Sequence, residues 1–361
     1  MSGTQCSVCD KPFRMRFSFQ RKRTQAGTVY FCSHECLEQN LRDDRLHTCE
    51  VCESSFELLY TYQQIDHDGV AHYVCKEVCR ERYFELHQQQ RSKMKRIAVL
   101  NQKGGTGKTT TSISLAAGLA DLGHKVLIVD LDSQSNIAVS LGLKAPRTIS
   151  DILLGEAHPM DCIVEVSSNL DAIISGTGLS TVETELVQVE AARHEILSLR
   201  LKSLTRYDFV ILDCSPSLSV LNQNSLTYAD HVLIPVSCDY LSLVGVKNII
   251  RTIKSVNEVL MSPVDILGVV PTFYGLSEQC TRDTIRSLKG YFKDRVLHPI
   301  RVDPSLRQAP MRKQTIFEYM PDSDGARDYR ALALQVAARS GFSDATPPPS
   351  PLDDEPVKEP L

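Results

Sequence analysis

The chain has 361 residues, with 40 Lys and Arg against 44 Asp and Glu, a net charge of −4 and 42% apolar residues. This balance excludes a wholesale polyanion binder while leaving room for a local basic patch, and no apolar run reaches the roughly 18 residues of a membrane-spanning helix. The start, MSGTQCSVCDKPFRMRF, has cysteines and arginines where a secretion signal needs an apolar core, so a cytoplasmic protein is expected.

In chain order, the first feature is a repeat. Cys6, Cys9, Cys32 and Cys36 recur 43 residues on as Cys49, Cys52, Cys75 and Cys79, and a period held at every cysteine marks a duplicated module. Val8, Phe13, Phe17, Phe19 and Tyr30 recur in kind as Val51, Phe56, Tyr60, Tyr62 and Tyr73, the few apolar groups a small core needs. Two short-spaced pairs of thiolates can close a tetrahedral site around Zn2+, so two zinc ions per chain are expected, with the metal supplying most of the folding free energy. FRMRFSF and FELLYTY alternate as β-hairpins do, and CSHECLEQNL and CKEVCRERYF read as helix starts at the second cysteine pair. His34, His47 and His72 are left to packing or solvent, because four cysteines complete each site. The units differ in charge. The first carries Lys11, Arg14, Arg16, Arg21, Lys22 and Arg23 against Asp10, which is either a phosphate-facing cluster or a solvated hairpin. The second has Glu57, Tyr60, Tyr62 and Asp66 there and reads as a protein-binding or packing face.

RERYFELHQQQRSK reads as a helical connector. Then RIAVL is a short buried strand and TTTSISLAAGLADLG a helix ending at Gly123, so the glycines of NQKGGTGKTT lie between a strand and a helix N-terminus. There Gly104, Gly105, Thr106, Gly107, Lys108, Thr109 and Thr110 can wrap phosphate, with Lys108 reaching the β- and γ-oxygens and the Thr109 hydroxyl on Mg2+. Gln102 stands where the standard loop has glycine. KVLIVDLDSQSN and RYDFVILDCSPSL are buried strands that end in acids: Asp130 and Asp132 on the first, Asp213 on the second. Asp130 stays open between ending a strand and serving the site. Cys162, Cys214, Cys238 and Cys280 lack metal spacing and are expected to pack. The expected boundaries are 1–43 and 44–86 for the two modules, 87–94 for the connector, 95–342 for the α/β domain and 343–361 for a disordered Pro-rich acidic tail.

YFCSHEC resembles the treble-clef-like fingers of the FCS, MYM and TRASH type. K-G-G-T-G-K-T-T, D-x-D-x-Q-x-N from Asp130 to Asn136, the strand ending at Asp213, HVLIPVSCDYLSLVGVKNII, LGVVPTFYG and SLRQAPMRKQTIFEYMPDSDGARDYRALALQV together resemble the ParA/MinD group of deviant P-loop ATPases. The resemblance runs from about Lys95 to Gly341. It implies an α/β P-loop NTPase, a mostly parallel sheet flanked by helices, preceded by the two treble-clef-like zinc modules. It also implies roles: Lys108 on the phosphates of ATP, Lys103 crossing to the nucleotide of a second subunit in an ATP-dependent homodimer, and Asp132 orienting the attacking water. Thr109 and Asp213 would hold Mg2+, Asp213 through water. A carboxylate is a weak base, so slow, partner-released turnover is expected.

The partners implied are non-specific DNA and a ParB-like or other cargo adaptor, with action at the nucleoid in segregating DNA or another cargo. MinD-type members hold membrane by a C-terminal amphipathic helix, which the acidic tail SDATPPPSPLDDEPVKEPL cannot form, so no membrane partner is expected. Many ParA proteins carry a basic residue soon after the segment that here reads PTFYG, where this chain has Gly275 and Ser277. Arg251, Lys254, Arg282, Arg286, Lys289, Lys293, Arg301, Arg307, Arg312 and Lys313 are left to form a basic patch. A zinc-finger regulatory adaptor whose ATPase domain switches dimerisation is the alternative, while a metal-cluster carrier of the Mrp type lacks its late C-x-x-C pair.

Overall fold

The computed structural model describes residues 4–24, 27–43, 46–60, 63–67, 70–83, 86, 94–188, 193–217, 219–239, 250–251, 264–275 and 279–342. The chain divides into two compact units, Met1–Gln90 and Arg91–Leu361. Apart from Met94, the expected connector lies outside the described residues, as does the expected tail.

In the first unit β1 (Thr4–Gln5) pairs antiparallel with β2 (Pro12–Phe13). A hairpin of β3 (Arg21–Thr24) and β4 (Gly27–Tyr30) follows, then the helix His34–Asp43. The second module repeats this plan with β5 (Leu46–Thr48), β6 (Ser55–Glu57), β7 (Gln64–His67) and β8 (Val70–Tyr73). Even the register recurs: His47 faces Phe56 as Thr4 faces Phe13, and Gln64 faces Tyr73 as Arg21 faces Tyr30. Asp10 and Glu53 both turn through the left-handed region, at φ 58° and 59°, inside the first cysteine pair's knuckle. A small core of Cys49, Ile65, Val74 and Tyr83 closes the second module.

The hairpins correct the sequence reading. FRMRFSF gives one short strand and then a turn, FELLYTY as far as its described residues, 56–60, gives one short strand that ends at Glu57, and a two-stranded hairpin lies downstream of each. Two buried glutamines explain this. Gln20 Oε1 accepts the Arg16 and Phe17 N–H groups at 2.6 and 2.9 Å, and its Nε2 donates to the Cys32 carbonyl at 3.2 Å. Gln63 does the same with Leu59, Tyr60 and Cys75 at 2.8, 2.8 and 3.1 Å. A side chain that takes the backbone donors of a segment offers it an alternative to a ladder.

The second unit is built on a seven-stranded sheet in the order β11-β12-β10-β13-β9-β14-β15. Its strands are β9 (Lys95–Val99), β10 (Val126–Leu131), β11 (Ile163–Ser167), β12 (Leu170–Ile173), β13 (Phe209–Cys214), β14 (His231–Ser237) and β15 (Asp265–Thr272). β11 runs antiparallel to β12, and the other pairings are parallel. β10 and β13 are buried at every residue, as strands covered on both faces must be. Alternate side chains feed two cores: Leu127, Val129, Val210 and Leu212 on one face, Val126, Ile128, Phe209 and Ile211 on the other. The helices Lys108–Asp121 and Asp324–Arg339 pack on the second face. Gly118 permits their approach, since a Cβ there would lie 3.0 Å from the Ala333 methyl and 3.3 Å from the Phe317 ring. The chain leaves β9 for β10 on one side and later places β14 on the other, and such a switch point opens a crevice at the carboxyl ends of the strands. Among the described residues, no helix is long and apolar enough to cross a membrane.

Candidate nucleotide site and metal centres

The loop between β9 and the helix Lys108–Asp121 turns through Gly105 at φ 74° and Gly107 at φ 82°, a backbone that side chains resist. Partners from neighbouring strand ends fasten it. Buried Asn101 accepts the Lys103 N–H at 3.0 Å and donates to the Pro235 carbonyl at 2.6 Å, and the Thr272 hydroxyl donates to the Thr106 carbonyl at 2.9 Å. The sequence reading missed Asn101 and Thr272; their one signal was a place just past, or at the end of, a buried strand.

Lys108 is buried and donates to the Lys103 carbonyl at 3.2 Å. Burial lowers its pKa against the opposing pull of Asp213 and Asp132. Asp213, at the end of β13, accepts the Ser112 hydroxyl at 2.8 Å through Oδ1, while Oδ2 is buried with no hydrogen-bond partner. Burial pushes this carboxyl up to about 6, with the Thr109 and Ser112 hydroxyls opposing. Asp130 stands beside it in register and accepts the N–H groups of Asp132 at 3.0 Å and Ile137 at 3.3 Å. Burial, then the neighbouring Asp213, raise Asp130 to about 7. Asp130 therefore does more than end a strand: it clamps the turn that carries Asp132. That turn is further held by Ser175, whose hydroxyl donates to the Asp132 carbonyl at 2.7 Å.

Lys108 and Asp132 open on a cavity of about 380 Å3 that is also lined by Gly104, Gly105, Gly107, Thr109, Thr110, Asn136, Pro310 and Thr315; Asp130 and Asp213 lie buried behind it. A second cavity of about 280 Å3 shares Gly105, Gly107, Thr110 and Leu306 and is walled by Phe273, Arg301 and Tyr329. The orphaned Asp213 oxygen beside the Thr109 hydroxyl fits a Mg2+ site, because a buried acid without a donor is satisfied by a cation or its water. Lys103 is engaged elsewhere: its Nζ meets both Asp239 oxygens at 2.6 and 2.7 Å, and Asp239 also accepts the Ser237 hydroxyl at 2.7 Å.

Residues 94–266 match the family described as an AAA domain. The chromosome-partitioning ATPase Soj of Treponema pallidum is 35% identical over 250 residues, 68% of this chain and 98% of its own length. The chain belongs to the ParA/MinD group of ATPases. Among solved structures, a putative plasmid partition protein of Borrelia burgdorferi B31 bound to AMPPNP is 25% identical to this ParA/MinD protein, with a TM-score of 0.59 over 68% of this chain and 98% of that one. Cobyrinic acid a,c-diamide synthase of Mycobacterium smegmatis, with an ATP analogue and magnesium, is 32% identical, with a TM-score of 0.57 over 69% and 97%.

The eight cysteines of the two repeats in this ParA/MinD protein converge into two sets. In each of the two sets, Cys6, Cys9, Cys32, Cys36 and Cys49, Cys52, Cys75, Cys79, all four sulfurs lie within 4.8 Å of one another. Cys9 and Cys32 are 3.5 Å apart, and Cys52 and Cys75 3.4 Å. Zinc–sulfur bonds of about 2.3 Å in a tetrahedron need a spread of this size, so both sets fit Zn2+. Hydrogen bonds from Ser54 lower Cys52 to about 6, whereas the contact with Cys9 raises Cys32 to about 12. Such crowded thiols ionise together when a cation offsets their charge.

The candidate cations separate. Arg282, Arg286 and Lys289 recur at helical spacing along the helix Gln279–Phe292, so they share one stripe, where Arg286 also pairs with Asp283 at 3.2 Å; Lys293 follows the helix at φ 50°, outside that repeat. Arg301 does not join it: it bonds Asp328 at 2.7 Å and Asp324 at 3.1 Å and walls the second cavity. Lys313 donates to the Val139 carbonyl. Arg251, Arg307 and Arg312 are exposed; Lys254 and Ser277 lie outside the described residues. Cys162, Cys214 and Cys238 are buried, as expected for packing, and the Cys280 side chain lies outside what is described.

Proposed function

We propose that this chain is a slow ATPase of the partitioning type, which closes into a homodimer on ATP, binds DNA without sequence preference and is discharged by a cargo-bound adaptor of the ParB kind. One observation carries the reading. The loop bears two lysines, of which Lys108 lines the cavity while Lys103, outside its lining, pairs with Asp239. A cation on the loop that is held by an acid outside the cavity lining is suited to a partner's nucleotide, where it would spread transition-state charge.

In this reading the loop N–H groups and Lys108 hold the ATP phosphates, and the base extends into the cavity beside Phe273 and Tyr329. Thr109 and Asp213 would hold Mg2+, which supplies charge that offsets the phosphate oxygens when bound. Asp132 orients the attacking water, and Asp130 keeps it in place. DNA meets the stripe on the helix Gln279–Phe292, doubled in the dimer. Action is at the nucleoid with no membrane partner, and each cysteine set carries one zinc.

Asp132→Ala tests the scheme. It should leave ATP binding nearly unchanged, stall hydrolysis and accumulate an ATP-bound dimer in sedimentation, with salt-sensitive DNA binding that Arg286→Glu with Lys289→Glu removes. A variant that stays monomeric in saturating ATP contradicts the dimer; a dimer indifferent to DNA turns the reading toward a regulatory adaptor.

A further inference from the structure

The first cysteine module carries a surface that the ATPase reading does not use. Its Gln20 side chain, itself 5% exposed, fixes the backbone at Arg16 and Phe17 to the ligand strand at Cys32. The loop tip is thus held from behind while its side chains face out. Phe17 is 62% exposed and stacks on Phe19, with ring centres 5.7 Å apart and planes 14° apart. Phe19 in turn stacks on His34 at 3.7 Å and 22°. The result is a three-ring stack that is buttressed at one end and open at the Phe17 end. In the same stretch of chain Lys11, Arg14, Arg16 and Arg21 are exposed, and from Lys11 to Lys22 there is no acid. The exposed acids nearest in sequence are Asp10 and Glu35.

The second module is an internal control. Gln63 holds the equivalent tip through the same three bonds, yet from Ser54 to Ile65 its one charged residue is Glu57, and Glu77 stands where the first module has His34. The frame therefore does not require cations or a third ring. The first module has both in addition to what the shared frame needs.

We infer that the first cysteine module binds single-stranded nucleic acid, an unpaired base stacking on Phe17 while Arg14, Arg16 and their neighbours follow the phosphates. An open ring face at the end of a stack takes a base only when that base is unpaired, and flanking guanidinium groups suit the backbone on either side. A duplex hides its base faces and leaves the exposed ring without a partner. An acidic peptide would satisfy the cations and leave the stack unused. The inference goes beyond the duplex binding proposed for the ATPase dimer and does not depend on it.

The test uses the full chain without ATP, so that no nucleotide-driven dimer contributes. Fluorescent deoxy- and ribo-oligonucleotides of about 20 nucleotides and the matching duplex are titrated at several salt concentrations. The single strands should bind more tightly than the duplex, and the two sugar types report whether DNA or RNA is preferred. Phe17→Ala should weaken single-strand binding roughly tenfold, Arg14→Glu with Arg16→Glu should reduce the salt slope by about one to two, and Tyr60→Ala should change neither. These side chains are exposed, and an unchanged protease-resistant fragment will show that each variant folds. Equal affinity for duplex, an unaltered affinity in Phe17→Ala, or full competition by poly-glutamate would each overturn the inference.

Discussion

Asp213 is an acid whose burial moves its titration upward. Its carboxyl titrates near 3.9 in an unfolded chain and at about 6 in the fold, so between those values the native state binds more protons. Stability must then fall as pH rises from about 4 to about 6, by up to about 1.4 kcal/mol per pH unit for this group. Asp213→Asn should flatten that part of the profile when urea midpoints of nucleotide- and magnesium-free protein are compared with wild type; parallel profiles would show that the group does not titrate there. The Lys103–Asp239 pair is a different case. Its side chains are 32% and 48% exposed, so the contact stabilises by about 0.5–1 kcal/mol. Asp239→Ala should therefore raise ATP-driven dimerisation about two- to five-fold per subunit, read by sedimentation, whereas Lys103→Ala should abolish the dimer with ATP affinity intact. Equal loss of ATP binding in Lys103→Ala and Lys108→Ala would contradict separate roles.

At the scale of elements, the two modules show how one side chain redirects a segment. Gln63 holds the Leu59 and Tyr60 amide donors and the carbonyl of Cys75, one of the second cysteine set. Replacing it with leucine fills similar volume but strands those groups, each at about 1–3 kcal/mol if buried. Gln63→Leu should release zinc from the second module at least tenfold faster to a chelator, with the first module unaffected; equal release rates would mean the turn holds itself. The repeat of Gln20 and Gln63 was visible in the sequence at the same offset as the cysteines. Alternation of apolar residues drew the hairpin onto FRMRFSF instead, because periodicity reports which residues are apolar and not which backbone groups a side chain has already taken.

At the scale of the whole molecule, the division into Met1–Gln90 and Arg91–Leu361 makes the two chemistries separable. The second unit has its own two-sided core, whereas the first has a small core around its second cysteine set and, if both sets carry the zinc proposed above, would depend on the metal. Cys9→Ser, or chelation, should lose one or both zinc ions and the first unit's protease resistance while ATP binding by calorimetry stays within about twofold, since sites in units with separate cores couple weakly. Loss of ATP affinity on chelation would mean that the units are energetically joined.

What the sequence determined by itself was whatever local spacing encodes: the duplicated cysteine sets, the phosphate loop between strand and helix, and the acids that close β10 and β13. Each is fixed by chemistry within a few residues: the structure puts the four sulfurs of each set within 4.8 Å of one another and sets Asp130 beside Asp213 in register. What tertiary structure alone decided is who meets them. Lys103 meets Asp239 across 136 residues, Asn101 meets Pro235 across 134, and Thr272 meets Thr106 across 166. Such pairs depend on the order of strands in the sheet, which sets β14 beside β9 and β15 beyond it. Helical and strand periods are silent on that order, because they record which face of an element is buried and not which neighbour buries it.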